Sequence, residues 1–283
     1  MATQTAQPPQ AANVLTLIRP AGIGWLSLRE LWAYRELLYF LVLRDLKVRY
    51  RQTGMGVAWA VLQPAATTVI FTLLLGKLAH LASNGIPYPL FAFAGLAIWT
   101  YFASALSAAS LCLVSSASLI SKVYFPRILL VLAAALVPVV DLFFALVSLA
   151  VLMAYYGSPV RVQALAAIPF ALLAFVIALG AGLGLSSLNV RFRDVRNVLP
   201  LVTQIWLFAT PVVYTLTSLP SPWRRLAWLN PMTSVMLGFR WALVGTPAPS
   251  VLGVAVGTAV ALAFLAGGFV YFTRAERRFA DIV

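Results

Sequence analysis

The chain has 283 residues, 62% of them apolar and only 10% charged, with 20 Lys+Arg against 7 Asp+Glu and a formal charge of +13. A soluble domain carries about 45–50% apolar residues and needs a polar surface over its core. This composition excludes that class and makes lipid the solvent for much of the surface. The basic residues fall in short clusters between apolar runs, which suits anionic headgroups and topology rather than a nucleic-acid face. A single cysteine, Cys112, excludes a disulfide framework.

Met1–Asn13 is polar, uncharged and lacks a basic n-region joined to an apolar h-region. Residues 1–26 are therefore expected to be a disordered tail and not a signal peptide. Residues 27–53 read as an amphipathic helix that does not span. Charges at Arg29, Glu30, Arg35 and Glu36 precede seven apolar residues, Leu37 to Leu43, and charge returns from Arg44. Seven residues cannot cross a bilayer, so the helix is expected at the cytoplasmic interface. Asp45 and Arg49, four apart, are spaced to pair.

Residues 54–283 form the transmembrane domain. Six apolar stretches are long enough to span: Val57–Leu75, Leu90–Val114, Ile128–Tyr156, Ala164–Leu188, Val198–Leu216 and Val251–Phe272. Each is within reach of the roughly 20 helical residues that a ~30 Å core requires, and tilt absorbs the excess of the third. Fifteen Lys and Arg fall in the N-terminal segment, the loops after the second and fourth stretches, and the tail. Five (Lys77, Arg161, Arg224, Arg225, Arg240) fall on the other side. The positive-inside rule then puts both termini in the cytoplasm.

Two connections are more than turns. Residues 115–127 carry Leu119, Ile120, Val123, Tyr124 and Phe125, more exposed apolar surface than a tight turn requires, and Pro126 marks the start of the third span. Residues 217–250 contain five prolines around two short Trp-rich amphipathic pieces. Neither piece spans, and both fit re-entrant or surface half-helices.

Chemistry is sparse. The only Gly-Lys pair, Gly76-Lys77, lacks the rest of a phosphate-binding loop, so the chain is not expected to bind ATP. One histidine, His80, excludes most zinc sites, and seven scattered acids offer neither paired carboxylates nor a proton relay. No cofactor and no catalysis are expected on this chain. Asp141, the one charge in a predicted span, costs about 2.5–3.5 kcal/mol at the bilayer centre unless it faces the bundle interior. It reads equally as a helix–helix hydrogen bond and as a polar group on a transport path. Gly180, Gly182, Gly184, Gly253 and Gly257 read as close helix packing. Trp99, Tyr101, Phe102, Trp206, Phe208 and Tyr214 read as interfacial belt or core, with a sugar-stacking conduit as the alternative.

The run Arg44-Asp45-Leu46-Lys47-Val48-Arg49-Tyr50-Arg51-Gln52-Thr53-Gly54-Met55-Gly56, followed by Trp59 and Leu62-Gln63-Pro64, resembles the opening of the membrane subunits of ABC exporters for O-antigen, capsular polysaccharide and teichoic acid. Met-Gly stands where Leu-Gly is usual, and Gln precedes the proline where Asn is common. Leu119-Ile120-Ser121-Lys122-Val123-Tyr124-Phe125-Pro126-Arg127 is similar to that family's loop after the second span. Asn189-Val190-Arg191-Phe192-Arg193-Asp194-Val195 resembles its next cytoplasmic turn. Thr210-Pro211 and Leu229-Asn230-Pro231-Met232 complete the pattern, which covers roughly Arg35 to the end.

The resemblance implies an all-α polytopic permease with six transmembrane helices, an interfacial helix and re-entrant half-helices before the last span. It implies a homodimer in the bacterial inner membrane, two separate ATP-binding subunits carrying ATP and Mg, and a lipid-linked polysaccharide as cargo. O-antigen comes first, with teichoic acid or capsular polysaccharide as alternatives; a secondary transporter or an embedded transferase would need a repeat or a carboxylate cluster that the chain lacks. By the same resemblance Ser118, Leu119, Ile120, Lys122, Tyr124, Phe125 and Arg127 couple to the ATPase. Arg44, Asp45, Lys47, Arg49 and Arg51 belong to the interfacial helix, where the basic members suit the substrate diphosphate or ordinary headgroups alike. Trp59, Asp141, Trp206, Phe208 and Tyr214 are candidates for the conduit. Trp223, Trp228, Asn230 and Trp241 belong to the outer gate, residues 217–250.

Overall fold

A computed structural model describes residues 32–51, 58–74, 85–123 and 125–276, with the side chains of Arg51 and Ala60 outside the description. The predicted tail, Lys77 and Tyr124 therefore lie outside the described residues. Every regular element among the described residues is helical. In chain order these are α1 (Arg35–Arg51), α2 (Ala58–Phe71), α3 (Tyr88–Ser115), the single turn α4 (Ala117–Ile120), α5 (Ile128–Leu136), α6 (Val139–Tyr155), α7 (Ala167–Arg191), α8 (Val195–Ala209), α9 (Ser221–Ala227), α10 (Pro231–Val244) and α11 (Val251–Glu276).

Four runs are long and apolar enough to cross a membrane: Tyr88–Ser115, Ile128–Tyr155, Val162–Arg191 and Val251–Glu276. Helix α3 is mostly apolar, as a helix largely covered by others must be. Its Leu90, Phe91, Ile98, Phe102, Leu106 and Leu113 are all sealed from solvent. Helix α7 packs on α3 and α11 through small residues. A Cβ on Gly180 would sit 2.5 Å from the Leu265 nitrogen, and one on Gly182 would strike Ala109. Gly253 and Gly257 receive the Trp228 ring and Ser234. The glycines are thus packing positions, as expected.

The fifth predicted span departs most from the sequence reading. The third predicted span is one run, Ile128–Tyr155, with a turn at Val137-Pro138 that separates α5 from α6 while both residues stay in the right-handed helical region, since proline supplies no N–H to the preceding turn. The fifth, expected over Val198–Leu216, begins at Val195 and ends at Ala209. Pro211 disfavours helix at the residue before it, and Thr210 is extended at φ −104°, ψ 140°. Fifteen residues at 1.5 Å rise give α8 about 22 Å, short of a full crossing. The first predicted span is seen as α2, which continues in a wider turn to Leu74.

Residues 217–250 contain the two short helices expected of them, α9 and α10. Gly245 closes α10 in the left-handed region at φ 76°, with its N–H returned to the Arg240 carbonyl, a conformation that favours glycine.

Candidate functional site

Helix α1 lies along α5. Leu41 is buried in one cluster with Leu129 and Leu130, and two turns later Arg49 and Tyr50 meet Asp141 in the first turn of α6. Arg49 pairs with one carboxylate oxygen of Asp141 and the Tyr50 hydroxyl donates to the other. Asp141 is the fourteenth residue of the run that begins at Ile128, so the end of α1 stands level with the middle of that run. The cost of an intramembrane carboxylate is met by a guanidinium delivered from outside the span. Burial, and then the bond to Asp141, push the Tyr50 phenol well above its ordinary range, so it remains a donor.

Asp45, expected to pair with Arg49, pairs instead with its neighbour Arg44 at 2.8 Å. The spacing rule failed because Asp141 offers Arg49 a drier partner, where a pair gains more. Lys47 is exposed.

Two cavities open beside this cluster. The first, about 180 Å³, is lined by Arg49, Tyr50, Trp59, Gln63, Tyr101 and Asp141 among others. The second, about 510 Å³, adds Thr67, Trp99, Ser107 and Leu207. They share Arg49, Gln63, Thr100 and Ser104, and together they make one cleft between α2 and α3, with the end of α1 at its head. Its hydroxyls, carboxamide and aromatic rings can take a polyhydroxylated ligand, and its arginine an anion.

The other conduit candidates are elsewhere. Trp206 is partly buried against the core: its ring meets Phe102 edge-on at 5.0 Å, and its indole N–H donates to Asn230 Oδ1 at 2.9 Å. Phe208 is on the exposed face of α8. Tyr214 is half-buried, with its hydroxyl on the Phe208 carbonyl at 2.9 Å.

At the other end, Asn230 caps α10 through Met232 N–H and donates to Thr210 Oγ1 at 2.8 Å. The Thr210-Pro211 and Asn230-Pro231 motifs are therefore one joint. Trp223 is exposed, Trp228 packs on Gly253, and Trp241 borders the core.

The sequence reading missed Arg240, counting it as a loop charge. It is 1% exposed. Its Nε donates to the Phe91 carbonyl at 3.1 Å, Nη1 to the Pro211 carbonyl at 2.7 Å, and Nη2 to the Val212 carbonyl. The guanidinium also lies 3.7 Å over the Phe91 ring. The Pro211 and Val212 carbonyls lie where the chain leaves α8, so the arginine supplies donors that a continuing helix would have supplied, and the Phe91 carbonyl ties it to the first turn of α3. Burial pushes it down to about 9, so it is still charged at neutral pH. An arginine inside an otherwise apolar ten-residue stretch was the available signal. Taking it out of the loop charges widens the asymmetry to fifteen against four.

The segment expected to couple, residues 115–127, is mixed in exposure. Ser118, Lys122 and Val123 are exposed, and Leu119 and Ile120 are partly covered. Phe125, expected on the outside, is a correction: it is 6% exposed and packs with Leu41, Leu113 and Leu129. Pro126 turns the chain inward there, and an aromatic ring gains more from the core than from water. Arg127 donates to the Glu276 carbonyl at 2.9 Å, tying this loop to the end of α11. Among the described residues no group of His, Cys, Asp or Glu could hold a metal.

Residues 36–244 match the family model described as ABC-2 type transporter. The chain belongs to that transporter family. It is 30% identical over 215 residues, 75% of this chain and 82% of the relative, to the O-antigen export system permease protein RfbA of Myxococcus xanthus. A protein of the same name from Klebsiella pneumoniae is 26% identical over 251 residues, 88% and 95% of the two chains. The polysialic acid transport protein KpsM of Escherichia coli is 23% identical over 198 residues, 69% and 76%. As a family member with several apolar helices, the chain is a multi-pass membrane transport subunit.

Proposed function

We propose that this chain is the permease of an ATP-driven exporter that moves a lipid-linked polysaccharide, O-antigen in the first place, outward across the bacterial inner membrane. Two copies form the conduit and two separate ATP-binding subunits, which carry ATP and Mg, drive it from the cytoplasm, where both termini lie. The observation that carries the reading is similarity to O-antigen export permeases along nearly the whole length of both chains. The polar and aromatic cleft headed by Arg49 supports it, since a glycan diphosphate needs both kinds of group. Capsular polysaccharide is the second reading, supported by the weaker similarity to KpsM.

The ATPase pushes on the exposed part of the coupling segment, Ser118 and Lys122, and Phe125 passes the push to α5 from within the core. Residues 217–250 form the far gate. The test is deletion of the gene in its own host: surface polysaccharide should disappear while lipid-linked glycan accumulates on the cytoplasmic side. Unchanged surface polysaccharide would overturn the reading. For the coupling step, Lys122→Ala should leave folding intact and lower ATPase stimulation several-fold. Full stimulation would remove Lys122 from the contact.

A further inference from the structure

Arg49 and Tyr50 are neighbours on α1, and both direct their donors at one carboxylate, each taking a different oxygen of Asp141. A guanidinium and a phenol set to grip two oxygens of a planar anion can equally grip two oxygens of a phosphate ester. The Arg49 side chain is 38% exposed and borders both cavities. The grip therefore faces open space, with Gln63, Thr100 and Ser104 around it.

We infer that Asp141 is a built-in competitor for an anion site: it holds Arg49 and Tyr50 while the cleft is empty, and a phosphate ester gains them only by exchange. The pair leaves the empty cleft without net charge at its head, so a weakly binding anion gains little by entering. A group with two adjacent phosphates brings more charge than one carboxylate and wins the exchange. That is selection by an internal rival rather than by extra contacts. Exchange also releases α1 from the first turn of α6, so occupancy of the cleft and contact between these helices oppose each other. The phosphate ester comes either from the lipid-linked substrate or from an ordinary phospholipid headgroup. Its assignment to the substrate rests on the export reading above; the competition itself does not.

The test titrates inorganic pyrophosphate calorimetrically into the full-length permease in phosphatidylcholine nanodiscs. Asp141→Asn should bind at least about 10-fold tighter than wild type, and adding Arg49→Gln should abolish the gain. Asp141→Ser, which keeps a short polar group at the first turn of α6, serves as a second neutral variant if the first loses its native elution profile. Equal affinity of the neutral variant and wild type overturns the inference, as does a gain that survives loss of Arg49. Repeating the titration with roughly a third phosphatidylglycerol separates the sources. A gain that persists supports the diphosphate, and one that vanishes overturns that assignment in favour of headgroups. Surface polysaccharide after gene deletion reports on the export reading separately, whatever the titration gives.

Discussion

Arg240 and Arg49 stand at opposite extremes of how an apolar chain can carry a guanidinium. Arg240 is sealed and spends its donors on three backbone carbonyls, which makes it a fastener for the turn between α8 and the outer helices. Arg49 is half open, held by one carboxylate and one cavity wall. A charge whose partners are backbone atoms cannot exchange them without unfolding that turn. A charge whose partner is a side chain beside a cavity can. The two arginines are therefore built for different work, one for permanence and one for exchange.

The comparison can be broken most easily at its rigid end. Arg240→Met should cost about 3–5 kcal/mol, because three buried carbonyls lose their donors, and should appear as loss of monodisperse protein in detergent. Arg240→Lys should rescue little, since one ammonium cannot fork to three carbonyls. If either variant melts like wild type, the fastener is not one. Next is Gly95→Ala, whose methyl would strike the Arg240 guanidinium and the Val212 carbonyl. A loss of about 1–3 kcal/mol is expected from overpacking, read by thermal unfolding. Asn230→Ala removes the cap of α10 and its bond to Trp206 and should cost about 1–2 kcal/mol, with a shift in tryptophan emission; Asn230→Asp should keep the cap. The smallest effect belongs to the open end. Asp141→Asn should change stability by about 1 kcal/mol or less, after discounting for the exposure of Arg49. A loss as large as that of Arg240→Met would erase the distinction between the two arginines.

Much of this arrangement was legible in residue order. Runs of twenty apolar residues, prolines and glycines marked most helices, because those signals are local. The end of α8 before Pro211 was legible in principle and underread, since hydropathy alone runs straight through it. What stayed hidden depended on contacts between distant segments. Nothing around Arg49 announces Asp141, 92 positions away, and the partners of Arg240 are carbonyls, which carry no sequence signature. Phe125 shows the same limit from the other side. An apolar residue in a basic loop reads as a docking surface until the fold shows that it points inward.

Helices α5 and α6 form one 28-residue run, Ile128–Tyr155, with the backbone in the right-handed helical region through the turn at Val137-Pro138. Phe125 and Arg127 fix the start of that run to the core and to the last helix, and α1, packed along α5, reaches past the turn to Asp141. A helix anchored at its start and braced across its one weak point moves as a unit, so under the export reading a push beside Lys122 would reach the head of the cleft instead of being lost in the loop.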